Sequence, residues 1–441
     1  MARQTGRLQL PAESVAGTAL ALMEGLEGFF DEVDAFYKDL HQHPELYGHE
    51  ERTAARVAEQ LQQAGFAVTP NVGGHGVVGV LANGAGPTVA LRGDMDALPV
   101  EEKTGLPYAS KERFEGTPVM HACGHDVHTS CLVGAARLLA STRERWKGTL
   151  VIVAQPAEES AAGARAMLQD GLFTRFPRPD IMLGQHVSPL PVGTYAHSPG
   201  TVMAGARSMR VRIFGKGGHG STPHATVDPV VLAASIVLRL QTVVAREIDP
   251  RKSAVLTVGV LRAGTRANVI PDEAELELSL RFADDTTEKH LVEAVERIVR
   301  AECEASRAPR APEISTLSRA PTTVNDEGAT ARVASVHEAC FGKQAIIHLD
   351  QPVTGTEDFS LYARPGPDTY EGPAVPTCFW FLGSTAPERW KAAGGDDLFD
   401  TLARLPTNHS PYFAPDRVPT LRGGIEALTG AALAWLAARE A

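Results

Sequence analysis

The chain alternates short apolar runs with helical periodicities through its first two hundred residues. Spacing of apolar positions predicts helices over Asp31 to His41 and Glu50 to Ala64, the latter closing at Gly65. Short β-type runs follow at Gly76 to Leu81, Thr88 to Leu91, Thr149 to Ala154 and Ile181 to Leu183. Between them Cys131, Leu132, Ala135, Leu138 and Leu139 recur at helical spacing, predicting a helix over Val127 to Ala140 with Asp126 as its cap. Strands separated by helices predict a mostly parallel sheet covered on both faces, an α/β domain.

The middle of the chain follows another plan. Ser208 to Phe214, Ser253 to Val260 and Glu273 to Phe282 alternate as strands, and Glu313 to Leu317 is a shorter one. Val227 to Val244 and Glu288 to Ala305 read as helices. The order βαββαβ is the ferredoxin-like plan, long enough to fold as a unit. The simplest organisation is an α+β domain over 206–317 inserted into a catalytic α/β domain made of 1–205 and 318–441. The Pro/Gly-rich stretch from Pro365 to Pro376 reads as a surface loop, and loops such as Pro365 to Phe381 would shape a substrate pocket.

At 441 residues, two domains are the expectation, and 43% hydrophobic with 22% charged residues is ordinary for a globular chain. A net charge of -11 and the lack of a basic run argue against a nucleic-acid partner. No apolar stretch is read as reaching the roughly 20 residues that span a bilayer. Arg3 and Arg7 precede a brief apolar run from Val15 to Met23, which reads as an N-terminal helix rather than a secretory signal. Five scattered cysteines make no disulfide framework, so a reducing, cytoplasmic compartment is expected.

Ligands of open α/β sheets bind beyond the carboxyl ends of the strands. Three predicted strands deliver reactive groups there: Asp94 and Asp96, Glu158 and Glu159, and His186. The turn Cys123-Gly124-His125 precedes a helix of the same sheet and can aim a thiolate and an imidazole at one point, a pairing suited to zinc or a similar ion. Each piece has a plainer reading: the aspartates as turn caps, His186 as a core histidine, His409 as a loop residue. Together, one Cys, three His and one Glu suffice for two divalent ions. Hydroxide on such ions exists at neutral pH, and an unligated neighbouring carboxylate can handle its proton. Adjacent glutamates suit that division, with Glu158 as general base and Glu159 as ligand.

These segments resemble the amidohydrolase branch of the M20 metallopeptidase family. The resemblance rests on His43-Pro44-Glu45, Arg92 to Pro99, Met120 to Asp126, Gln155 to Glu159, Gly217-Gly218-His219 with Pro223-His224, Asn268 to Pro271, Gly355 to Phe359 and His409-Ser410-Pro411. It implies that Cys123, His125, Glu159, His186 and His409 bind two divalent metal ions (Zn, Mn, Co or Ni), that Glu158 is the general acid/base and that Asp96 supports the site. It further implies that the inserted domain is a lid and dimerisation domain, making the protein a homodimer or higher homo-oligomer. His219 and Asn268 of that domain would reach the active site of a second subunit and contact the substrate carbonyl or carboxylate there. His43, His121 and His128 match no ligand and are expected to be structural. The implied activity is hydrolysis of the amide bond of N-acyl amino acids or similar small amides; a dipeptidase or carboxypeptidase is the alternative.

Overall fold

Residues 11–437 are described in the structure, a computed structural model; Arg3 and Arg7 lie outside them. The chain divides into two units, one of Met1–Val202, Val324–Gln351 and Asp358–Ala441, the other of Met203–Thr323 with Pro352–Glu357. The run from Val15 to Met23 lies in a helix, Ala12–Met23.

The first unit is built on an eight-stranded sheet. Its centre is four parallel strands in the order Gly148–Gln155, Thr88–Asp94, Ile181–Pro191, Thr377–Thr385. On one side, Gly76–Asn83 and Ala67–Val72 continue the sheet antiparallel; on the other come Tyr195–His197 and Ile346–His348. Central strands of such a sheet are covered on both faces, and this explains runs such as Leu150 to Gln155, every residue of which is buried. Parallel strands of one sheet deliver their carboxyl ends to one edge, so Asp94, Gln155 and the residues after them emerge together.

The helix His125–Ser141 packs against Arg417–Leu436 at glycines. A Cβ on Gly134 would fall 2.6 Å from Ile425, and one on Gly424 2.5 Å from Cys131 Sγ, so this pair of helices needs the missing side chains to approach.

Three expectations are corrected here. Asp126 does not cap the Val127 helix: the helix begins at His125, Gly124 occupies the cap position in the left-handed conformation, and Asp126 is buried in the first turn. The expected loop through Phe381 ends earlier, because Thr377–Thr385 is a central strand with all nine residues buried. Pro229–Glu247 is, by length and composition, apolar enough to cross a membrane; in the structure Leu232, Ala233, Ile236, Leu240 and Val243 on one face are buried in the second unit's core.

That second unit carries four antiparallel strands in the order Ala254–Ala263, Glu273–Phe282, Gly205–Phe214, Glu313–Ala320. With helices Pro229–Glu247 and Asp285–Ala305 interleaved in chain order, this is the ferredoxin-like arrangement. Asp228 and Asp284 cap the two helices, accepting hydrogen bonds from Val230 N and Thr287 N.

Candidate metal centre

Gly124 creates the first turn of the site. Its φ of 82° is a conformation in which a side chain is strained, and a Cβ would lie 2.4 Å from Val187 Cγ2. The turn places Cys123 and His125 on either side of it, both buried. A second turn, Pro156-Ala157-Glu158-Glu159, has Ala157 at a φ of 53°. Carboxylates hold its backbone: Glu50 accepts from Ala157 N at 2.9 Å, and Asp96 accepts from Glu158 N at 3.1 Å and Glu159 N at 3.0 Å. The third piece is His409, also left-handed at a φ of 71°. It is stitched to the first turn by His409 N to Ala122 O at 2.8 Å and by Asn408 Nδ2 to Cys123 O at 3.1 Å.

The donors converge. Ligand atoms of Cys123, His125 and His186 lie within 4.8 Å of one another, as do those of Cys123, Glu159 and His409, and those of His125, Glu158 and Glu159. Cys123 Sγ is 3.5 Å from His186 Nε2, and His409 Nε2 is 3.5 Å from Glu159 Oε1. His125 Nε2 stands 3.9 Å from both Glu158 and Glu159 carboxylates. Asp96 reaches His125 Nδ1 at 3.3 Å, so one carboxylate touches a histidine and the backbone of both glutamates.

These groups fit divalent cations. His125 Nε2 and Glu159 Oε1 are buried with no hydrogen-bond partner, a costly state that a bound cation relieves. His186 donates its Nδ1 proton to Val187 O at 2.7 Å, which leaves the Nε2 lone pair facing Cys123. Burial, and then the His128 ring, hold His186 well below its ordinary pKa, so it is neutral as a ligand must be. Burial, then the Glu159 carboxyl, pushes the Cys123 thiol well up, and burial raises Glu159 to about 7. The two anionic donors thus sit where only added positive charge makes them comfortable. The set of thiolate, imidazole and carboxylate suits zinc and its late first-row neighbours.

Of the remaining histidines, His121 is buried with both nitrogens unpartnered, and burial lowers it to about 4. His43 bonds Asp39 O at 2.8 Å at a helix end. In the second unit, His219 and Asn268 are neighbours at a small two-stranded antiparallel sheet, with His219 paired to Val269 and Gly220 N donating to Asn268 O at 2.8 Å. Both are exposed. Sequence reasoning missed the buried support under the site. Arg92 bonds Asp94 at 2.6 Å, Gln155 at 2.9 Å and Asp358 at 3.2 Å, and Gln155 bonds Asp358 at 2.7 Å. Its signal was an arginine inside an otherwise apolar strand.

Residues 90–387 match the profile of peptidase family M20/M25/M40. The chain is 37% identical over 343 residues to a hippurate hydrolase from Campylobacter jejuni, covering 77% of this chain and 86% of that protein. It is 36% identical over 355 residues to an N-acetyl-L-cysteine deacetylase from Bacillus subtilis, covering 80% of each. Among solved structures, a dinuclear metal-binding peptidase of the M20 family from Bacillus subtilis superposes with a TM-score of 0.72 at 28% identity, over 92% of this chain and 99% of that one.

Proposed function

The chain belongs to peptidase family M20/M25/M40 and is a metal-dependent amidohydrolase, and we propose that it cleaves N-acyl amino acids or related small amide conjugates into a carboxylic acid and an amine. The observation that carries this is the meeting of Cys123, His125, Glu159, His186 and His409, with the Glu158 carboxylate beside them. Those five residues would hold two divalent ions, drawn from Zn, Mn, Co and Ni. Bound there, the ions would supply Lewis acidity toward a carbonyl and lower the pKa of water.

The chain's own residues do the rest. Glu158, held by its backbone to Asp96, takes a proton from the attacking water and returns it to the leaving nitrogen. His219 is preset as a donor: Ser221 N–H donates to its Nδ1 at 3.1 Å, so the neutral ring carries its proton on the exposed Nε2. That N–H suits the oxygen of a polarised carbonyl. Asn268 beside His219 supplies a further amide for substrate contact.

A homodimer formed through the second unit and a cytoplasmic location are part of this proposal; the free state of all five cysteines supports the latter. A carboxypeptidase is the second reading, favoured by 36% identity over 339 residues to a thermostable carboxypeptidase from Saccharolobus solfataricus.

The test is a mass-spectrometric screen of N-acyl amino acids alongside blocked and free dipeptides. Release of the amino acid from acyl conjugates, abolished by chelation and restored by Mn²⁺, Zn²⁺ or Co²⁺, is expected. Turnover unchanged in chelator would overturn the mechanism, and cleavage confined to peptides would shift the reading to a peptidase. Glu158→Gln should keep its metal and lose about 10²- to 10⁴-fold in rate.

A further inference from the structure

Three of the five donors are tied to one peptide segment, at Val187. His186 donates through Nδ1 to Val187 O at 2.7 Å, and Asn408, next to His409, donates to the same oxygen at 3.2 Å. Asn408 also bonds Cys123 O at 3.1 Å. What anchors Val187 itself is His128. Val187 N donates to His128 Nε2 at 2.8 Å, so Nε2 bears no proton and the ring's proton is on Nδ1. Nδ1 donates to Asp94 Oδ1 at 2.5 Å, and Asp94 is gripped in turn by Arg92 at 2.6 Å. Thr129 Oγ1 also donates to Asp94 O at 2.7 Å, so the helix carrying His125 and His128 is pinned to the same strand end. His128 is buried, and its ring stands edge-on to His186 with centroids 4.4 Å apart.

From this geometry we infer that His128 is a positioning residue for the metal centre, which through Val187 sets the placement of His186, Asn408 and the Cys123 turn. The inference rests on the proposed function, since it concerns how that centre is held. Groups behind metal ligands commonly change metal affinity about 10- to 100-fold when removed. His128 does this at one remove, through a backbone N–H instead of a ligand ring. One feature separates it from a mere core residue: it must accept at one end and donate at the other. Glutamine can do both, with Oε1 toward Val187 N–H and Nε2 toward Asp94. Leucine can do neither, and asparagine is too short to reach both.

The experiment measures Co²⁺ binding to the full chain by competition with a chelator, together with the thiolate-to-cobalt absorption that reports Cys123. Thermal unfolding of each metal-free protein serves as the check on folding. His128→Leu is expected to weaken at least one of the two ions about 10- to 100-fold and to alter the thiolate band, while His128→Gln stays within about threefold of wild type. Should His128→Leu fail to fold, His128→Asn replaces it, with the same loss expected relative to His128→Gln. Equal affinities and unchanged bands for wild type, His128→Gln and His128→Asn would overturn the inference. A wild-type chain that binds no Co²⁺ would instead overturn the proposed function on which it stands.

Discussion

Asp96 holds Glu158 in place without touching its carboxylate: Asp96 Oδ1 accepts the Glu158 backbone N–H at 3.1 Å and is also 3.3 Å from His125 Nδ1. One oxygen thereby couples the proposed base to a proposed metal ligand, and the other accepts the Glu159 backbone N–H at 3.0 Å.

Asp96→Ala strands the Glu158 and Glu159 N–H groups and the His125 ring proton. Turnover is expected to fall about 10- to 100-fold, with Asp96→Asn recovering part of the loss because its acceptor oxygen can still serve the Glu158 N–H and the His125 ring, while the Glu159 N–H loses its partner. Steady-state kinetics on both variants, with metal content measured in parallel, checks this; equal activity of Asp96→Ala and wild type contradicts it.

Gly124→Ala forces a side chain into a φ of 82° and against Val187 Cγ2 at 2.4 Å. Left-handed strain and overpacking together should cost about 2–5 kcal/mol. Denaturant unfolding should show this loss, and Val187→Ala in the same chain should return the part due to the clash but not the part due to backbone strain.

His41 lies buried between Asp126 at 2.6 Å and Glu102 at 3.2 Å. Burial opposes its charge, but the two carboxylates outweigh burial and raise it from 6.5 to about 9. A histidine held charged in the folded state stabilises fully below its unfolded pKa and loses that contribution as pH rises through the folded one. Stability should therefore decline between pH 6.5 and about 9, by about 3 kcal/mol from this residue. Denaturant midpoints for wild type and His41→Asn across this range isolate the effect: the decline should be shallower in the variant, and parallel curves would refute it.

Ligands that bind only the folded state raise stability by mass action, about 2.7 kcal/mol at a hundredfold excess over Kd. Chelation should lower the thermal midpoint of the unit that carries the five donors, and stoichiometric Mn²⁺ or Zn²⁺ should restore it. Calorimetry that shows no shift in either direction would argue against occupancy.

Much of this was legible in the chain. Alternation exposed the second unit because its antiparallel sheet buries one face under two helices, so strands such as Glu273–Phe282 bury every second residue. Thr377–Thr385 was hidden for the opposite reason: covered on both faces, it has no alternation to read. The helix Arg417–Leu436 was hidden as well, since its buried residues are spread around the helix and show no single apolar face.

At the site, the residue types and local spacing of Cys123-Gly124-His125 and Glu158-Glu159 determined which chemistry was available. Folding decided that His186 and His409 meet them, because strand pairing and helix packing bring together positions that no local periodicity relates. It also decided the supports: Asp94, His128 and Asn408 owe their roles to partners distant in sequence. Ligand identity is a property of side chains and can be read in one dimension; the orientation of a ligand depends on backbone N–H and C=O groups of other strands, which take their places only in three.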